Sequence, residues 1–156
     1  IGAHPSALIG ELPLGTPQNL VPFITQSAAG LRGPLQVYGK DYPTADGTAV
    51  RDYIHVVDLA LAHIAAMDHL IRQEGGDMHV FNLGTGKGSS VLSVIQAFED
   101  ATGTALSWAF APRRAGDIVA AYADTERAAS VLGWRAQRSL ADSMKDAWRW
   151  QEGLPS

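Results

Sequence analysis

The chain has 156 residues, 46% of them hydrophobic and 18% charged, which makes one domain by length and excludes disorder. It has no cysteine, so disulfide frameworks, thiolate zinc sites and cysteine nucleophiles are excluded, and a reducing compartment is implied. A net charge of −4, from 12 Lys and Arg against 16 Asp and Glu, is too acidic to track a nucleic-acid backbone.

The apolar runs stop well short of the roughly 18 residues that a membrane span needs, and no signal-peptide pattern opens the chain. The start at Ile1-Gly2-Ala3, without a methionine, reads as the middle of a longer polypeptide. Residues 1–18 hold three prolines and three glycines without periodicity, which predicts a loop. Asn19 then caps a short helix with Leu20, Phe23, Ile24 and Ser27 on one side, and Gly30 lies just past its end. Pro22 falls in the first turn, where a missing N–H costs nothing. Leu35-Gln36-Val37-Tyr38 alternates apolar and polar before Gly39 and predicts a short strand. A long polar loop from Lys40 to Arg51 follows, with a turn signal at Asp46-Gly47.

Between Val56 and Ile71 the apolar residues surround a helix on nearly every side. Such a helix must be covered on more than one face. His79-Val80-Phe81-Asn82-Leu83 predicts a short strand running into Gly84, Gly86 and Gly88, then a helix capped by Ser89 or Ser90. In that helix Val91, Val94, Ile95 and Phe98 follow the i, i+3, i+4, i+7 pattern, and Gly103 ends it. Leu106 to Ala111 predicts a strand. Asp124 or Thr125 caps a helix closed by Gly133, and Ser139 caps the last helix, stopped by Gly153. Strands alternate with helices, so the fold class is α/β, with several helices and only three short strands. That is too few for a doubly wound sheet.

The turn Gly84-Thr85-Gly86-Lys87-Gly88 sits between strand and helix, where backbone N–H groups can bind phosphate. Its spacing matches neither the dinucleotide fingerprint nor the P-loop, and a tight strand-to-helix turn is the plainer reading. The histidines are scattered without metal-ligand spacing, so no metal is expected. Trp134, Trp148 and Trp150 read as packing aromatics of the C-terminal region. The arginines are more informative. Arg51 precedes the apolar helix, and Arg113 and Arg114 follow a strand. A guanidinium matches phosphate oxygens in pairs, so two forks on separate loops, with Asp117 nearby, can bracket a nucleotide diphosphate. Ordinary surface ion pairs remain the alternative from spacing alone.

The run Gly39-Lys40-Asp41-Tyr42-Pro43-Thr44-Ala45-Asp46-Gly47-Thr48-Ala49-Val50-Arg51-Asp52-Tyr53-Ile54-His55-Val56-Val57-Asp58-Leu59 resembles the signature of the UDP-glucose 4-epimerase family, within the extended short-chain dehydrogenases/reductases. Matching pieces occur in the family's order: Gly2-Ala3-His4-Pro5-Ser6, Asn19-Leu20-Val21-Pro22, Phe81-Asn82-Leu83-Gly84-Thr85-Gly86, Pro112-Arg113-Arg114-Ala115-Gly116-Asp117 and Tyr122-Ala123-Asp124. The family's N-terminal half carries the glycine-rich NAD-binding turn, a catalytic serine or threonine and a Tyr-x-x-x-Lys pair. No Tyr-x-x-x-Lys occurs in this sequence.

The resemblance therefore implies that residues 1–156 are the C-terminal substrate-binding lobe of an extended short-chain dehydrogenase, lacking most of the Rossmann domain. It implies no catalytic residue here and NAD held by the other half. Segments about 56–88 are expected to pack back onto that NAD-binding domain, and the full enzyme is expected to be a cytoplasmic homodimer that binds neither nucleic acid nor membrane. For the substrate, a UDP-hexose, it implies Asn19 and Leu20 at the pyrophosphate, and Gln36, Val37 and Tyr38 at the uracil. Arg51 and Arg114 clamp the diphosphate, Asp117 holds the ribose, and Tyr53 and Val91 fall at contact positions. Ala121 stands where family members carry a tyrosine or a small residue, which implies room for an N-acetyl group. Other readings stay open: a piece of another nucleotide-sugar epimerase or dehydratase, or a non-catalytic UDP-sugar-binding or interaction module.

Overall fold

The protein is described from a computed structural model covering residues 1–73 and 75–155. Helix α1 (Leu20–Ala28) begins after Asn19, whose extended backbone takes the cap position. Its side chain does not cap, because the amide donates to Glu11 Oε1 at 2.7 Å. In β1 (Leu35–Tyr38), Leu35 and Val37 are buried while Gln36 and Tyr38 face outward, as period-two alternation requires.

A central strand β2 (Val50–Arg51) leads into α2 (Val56–Arg72). Next come β3 (Ser89–Ser90) and α3 (Val91–Thr102), then β4 (Trp108–Ala111) and β5 (Ala120–Ala121). Helices α4 (Glu126–Leu132) and α5 (Leu140–Glu152) complete the order. β1 pairs in parallel with β4, Leu35 opposite Trp108. β2 lies between β3, antiparallel, and β5, parallel.

Several caps follow the expectations. Ser90 Oγ accepts from the Ser93 N–H, and Ser139 with Asp142 closes a capping box at α5. At α4 the cap differs: Thr125 makes no side-chain cap bond, and Asp124 Oδ1 accepts from the Glu126 N–H. The strand expected at His79 to Leu83 does not form. An extended segment becomes a strand only by exchanging hydrogen bonds with a neighbour, and none of the described residues pairs with it. The loop expected to run from Lys40 through Arg51 instead gives its last two residues to β2.

The main core joins α1, α3 and α5 to β1 through Ile24, Val37, Val94, Phe98 and Met144. Trp148 meets the Phe98 ring edge-on at 5.6 Å. A smaller cluster holds Ala62 of α2 against Ala128 and Trp134. One face of α2 is bare: Leu61, Ile64, Met67, Leu70 and Ile71 are all exposed, Ile71 to 77%.

With so little sheet, carboxylates tie the loops together. Asp52 accepts from the backbone N–H groups of Thr85, Gly86 and Ala123 and from the Thr85 hydroxyl. Asp58, 1% exposed, accepts from the N–H groups of Gln137 and Arg138 and from the Arg138 guanidinium. Burial pushes the Asp58 carboxyl upward, but these donors hold it below the usual carboxylate range. His55 is fully buried, caps α2 by accepting the Val57 N–H at Nδ1, and places Nε2 3.3 Å from Asp146.

Two outcomes follow from these groups. Asp52→Ala lowers the unfolding free energy by about 3 kcal/mol through the donors it strands, and Asp52→Asn also destabilises, since either amide orientation turns an NH₂ toward donors. Urea denaturation measures both. Burial lowers the His55 pKa against the opposing pull of the Asp146 bond. The folded imidazole therefore resists a proton that the unfolded chain accepts near pH ~6.5, so stability is complete above that pH and falls as pH drops below it. Melting temperatures between pH 8 and 5 will show this decline, and it will be smaller in His55→Asn, which keeps a cap acceptor.

Candidate functional site

Four elements and two loops converge on one cleft of about 290 Å³. The start of α1 contributes Asn19 and Leu20, and the outward face of β1 contributes Gln36 and Tyr38. β2 and the residues after it supply Arg51 and Tyr53, the first residue of α3 supplies Val91, and the loop after β4 supplies Arg114 and Asp117. Nine of the expected binding residues thus share a single cavity.

Two do not line it. Val37 is fully buried, with its side chain in the core, because alternation along β1 sends it to the face opposite Gln36 and Tyr38. Ala121 lies on β5 opposite Arg51 in the ladder, outside the cleft lining. The lining also includes Thr16, Pro17, Gln18, Phe23, Leu35 and Ala49, which the sequence reading missed. Phe23 was findable, since it falls one helical turn beyond Leu20 on the same face. Thr16 to Gln18 lie in an aperiodic loop and carry no pattern.

The charges are arranged around one carboxylate. Arg114 binds Asp117 through two bonds, Nε to Oδ2 at 2.9 Å and Nη2 to Oδ1 at 3.2 Å. Arg51 places Nη2 3.9 Å from Asp117 Oδ1, while its Nη1 is braced by the carbonyls of Val50 and Ile118. The Arg114 guanidinium also lies 4.7 Å from the Tyr38 ring centre, a cation–π contact. Its bond to Asp117 raises the Arg114 pKa further above an already high value. Burial pushes the Tyr53 phenol up to about 12. Tyr53 is therefore a protonated donor near neutral pH and no base.

The glycine-rich turn is no phosphate site. Its Thr85 and Gly86 N–H groups are bonded to the Asp52 carboxylate, which sits where a phosphate would. A Cβ on Gly84 would lie 2.3 Å from Asp52 Oδ2, so glycine is required there for the carboxylate to approach. The Asp52 carboxylate thus takes up the N–H groups that this turn would otherwise offer to a nucleotide phosphate. No group of three or more metal-ligating side chains occurs among the described residues. His69 and His79 meet edge-on at 5.1 Å beside Phe81 instead. No helix of the described residues is long and apolar enough to cross a membrane.

Residues 6–147 match the family model described as GDP-mannose 4,6-dehydratase. A UDP-glucose 4-epimerase from Yersinia pestis is 55% identical over 99% of this chain and 45% of its own length. A UDP-glucose-4-epimerase from Stenotrophomonas maltophila, crystallised with bound NAD and formylated UDP-arabinopyranose, superposes with a TM-score of 0.94. It is 54% identical over 97% of this chain and 45% of that one. The Bifidobacterium longum UDP-glucose 4-epimerase, in complex with NAD⁺ and UDP, gives a TM-score of 0.92 at 49% identity over 97% of this chain and 44% of that one. The chain thus spans about 45% of the length of the relatives it matches. On a family match that takes in every element lining the cleft, the chain belongs to the GDP-mannose 4,6-dehydratase family of extended short-chain dehydrogenases/reductases, where its near relatives are UDP-glucose 4-epimerases.

Proposed function

We propose that this chain is the UDP-sugar-binding portion of a UDP-glucose 4-epimerase, the enzyme that interconverts UDP-glucose and UDP-galactose in galactose metabolism. The observation that carries the reading is the convergence of Arg51, from β2, and Arg114, from the loop after β4, on one carboxylate in one cleft. Two cations against one anion leave an excess positive charge, which suits a diphosphate. In this reading Arg51 and Arg114 clamp the phosphates while Asn19 and Leu20 close the pyrophosphate side. Gln36 and Tyr38 face the uracil, Val37 contributing only its backbone, and Asp117 turns from Arg114 to accept the ribose hydroxyls. Tyr53 and Val91 form the wall.

The division of labour follows from the chemistry. An epimerase must let the hexose present both faces while the nucleotide stays anchored, so rigid forks belong at the phosphates and few bonds at the sugar. The redox step belongs to the part of the whole enzyme that holds NAD, and this chain alone is inactive. The bare face of α2 and the segment through residue 88 rest on that part. The whole enzyme is a cytoplasmic homodimer, and the small Ala121 admits UDP-N-acetylhexosamines as well as UDP-hexoses.

Calorimetric titration tests the reading. UDP binds while ADP and GDP bind more weakly. Arg51→Ala and Arg114→Ala each weaken UDP by about tenfold or more, from the loss of a charge-assisted bond. A folded protein giving no heat with UDP overturns the assignment. For Ala121, the whole enzyme carrying Ala121→Tyr loses activity on UDP-N-acetylglucosamine and keeps it on UDP-glucose; unchanged selectivity removes that role.

A further inference from the structure

The consecutive arginines after β4 go separate ways. Arg114 lines the cleft, whereas Arg113 turns away from it and docks on the loop that follows β1. Its Nε donates to Asp41 Oδ1 at 2.7 Å, and its Nη2 donates to the Asp41 backbone carbonyl. Its guanidinium lies 4.0 Å from the Tyr42 ring centre. Tyr42 is only 4% exposed, yet its hydroxyl has no hydrogen-bond partner among the described residues. A buried hydroxyl without a partner costs free energy, so what the site uses is the face of the ring.

Gly39 completes the arrangement. A Cβ there would lie 2.4 Å from the Tyr42 ring and 2.9 Å from the Arg113 side chain, and its φ of +84° is one that other residues rarely adopt. Its N–H donates to the Ala111 carbonyl, two residues before Arg113. An exposed ion pair by itself contributes little. A planar fork bonded twice and stacked on an aromatic face is directional, and a lysine cannot reproduce it.

We propose that Arg113 is a positioning residue for nucleotide binding: gripped between Asp41 and the Tyr42 ring, it fixes the start of the 112–117 loop so that Arg114 faces the cleft. The proposal rests on the UDP-binding reading of that cleft. Arg113 touches no ligand and acts entirely through Arg114.

The test titrates UDP into the full chain as wild type, Arg113→Ala, Arg113→Lys, Asp41→Ala, Arg114→Ala and the Arg113→Ala/Arg114→Ala double variant. Arg113→Ala weakens UDP about fivefold, and Arg113→Lys behaves like it because the fork is lost. Asp41→Ala, at an exposed side chain, weakens UDP in the same direction and carries the test should Arg113→Ala fail to fold. In the Arg114→Ala background the Arg113 substitution has no further effect, a non-additivity that neither direct ligand contact nor a general loss of stability produces. If wild type binds UDP and Arg113→Ala and Asp41→Ala bind equally well, or if the two arginine losses add, the positioning role is overturned. If wild type binds no UDP, the reading of the cleft fails and the positioning role fails with it.

Discussion

Two guanidinium groups drawn into one cleft repel each other, and the Asp117 carboxylate makes their approach tolerable. Like charges near a protein surface repel by about 4 kcal/mol at 4 Å and an effective dielectric of 20, and by less as they move apart. Asp117 offsets that cost by binding Arg114 twice and standing 3.9 Å from Arg51. The two backbone carbonyls on Arg51 Nη1 hold the second guanidinium in place. Arg51 is thus held at the cleft by backbone carbonyls, and Arg114 by its paired bonds to Asp117.

The same device recurs away from the cleft. Asp46 accepts from Thr48 and from Ser90, the residue that caps α3. Asp52 binds the glycine turn and the end of β5, and Asp58 binds the segment between α4 and α5. Asp52 and Asp58 each take at least two backbone N–H donors, whereas Asp46 takes one N–H and two hydroxyls. Strands of two residues hold register here because side chains on either side pin them. β2 depends on this most, flanked by Asp46 before it and Asp52 directly after Arg51.

α3 and α5 were legible in the sequence because each carries a cap and a stop, Ser90 and Gly103 for α3 and Ser139 and Gly153 for α5. The two-residue strands were not, since alternation cannot show in so short a run. The error at residues 79–83 has the opposite origin: a sequence carries a strand's propensity but not its partner. At the site, Arg51, Arg114 and Asp117 were legible through motif resemblance, whereas their meeting on one carboxylate is a tertiary fact. Asn19 shows the limit of local rules. Its cap geometry is right, and its side chain is spent on Glu11. Asp52 was visible only as part of a motif, because nothing local says that a carboxylate will fill a glycine turn 33 residues away.

The two hydrophobic clusters are unequal, and the difference bears on what the chain can do by itself. The elements that aim the cleft, α1, β1 and the start of α3, rest on the large cluster around Ile24, Val37, Phe98 and Met144, which lies wholly within this chain. α2 packs through the small cluster, in which Ala62, Ala128 and Trp134 are the buried members, and its exposed face belongs to neither cluster. Covering that face adds burial to α2 and α4 without being needed to hold α1 or β1 in place. Apolar stabilisation scales with area removed from water, about 25 cal/mol per Å², so covering the exposed side chains of α2 would add stability without adding to the large cluster. The cleft and the exposed face of α2 therefore rest on different parts of the molecule's packing.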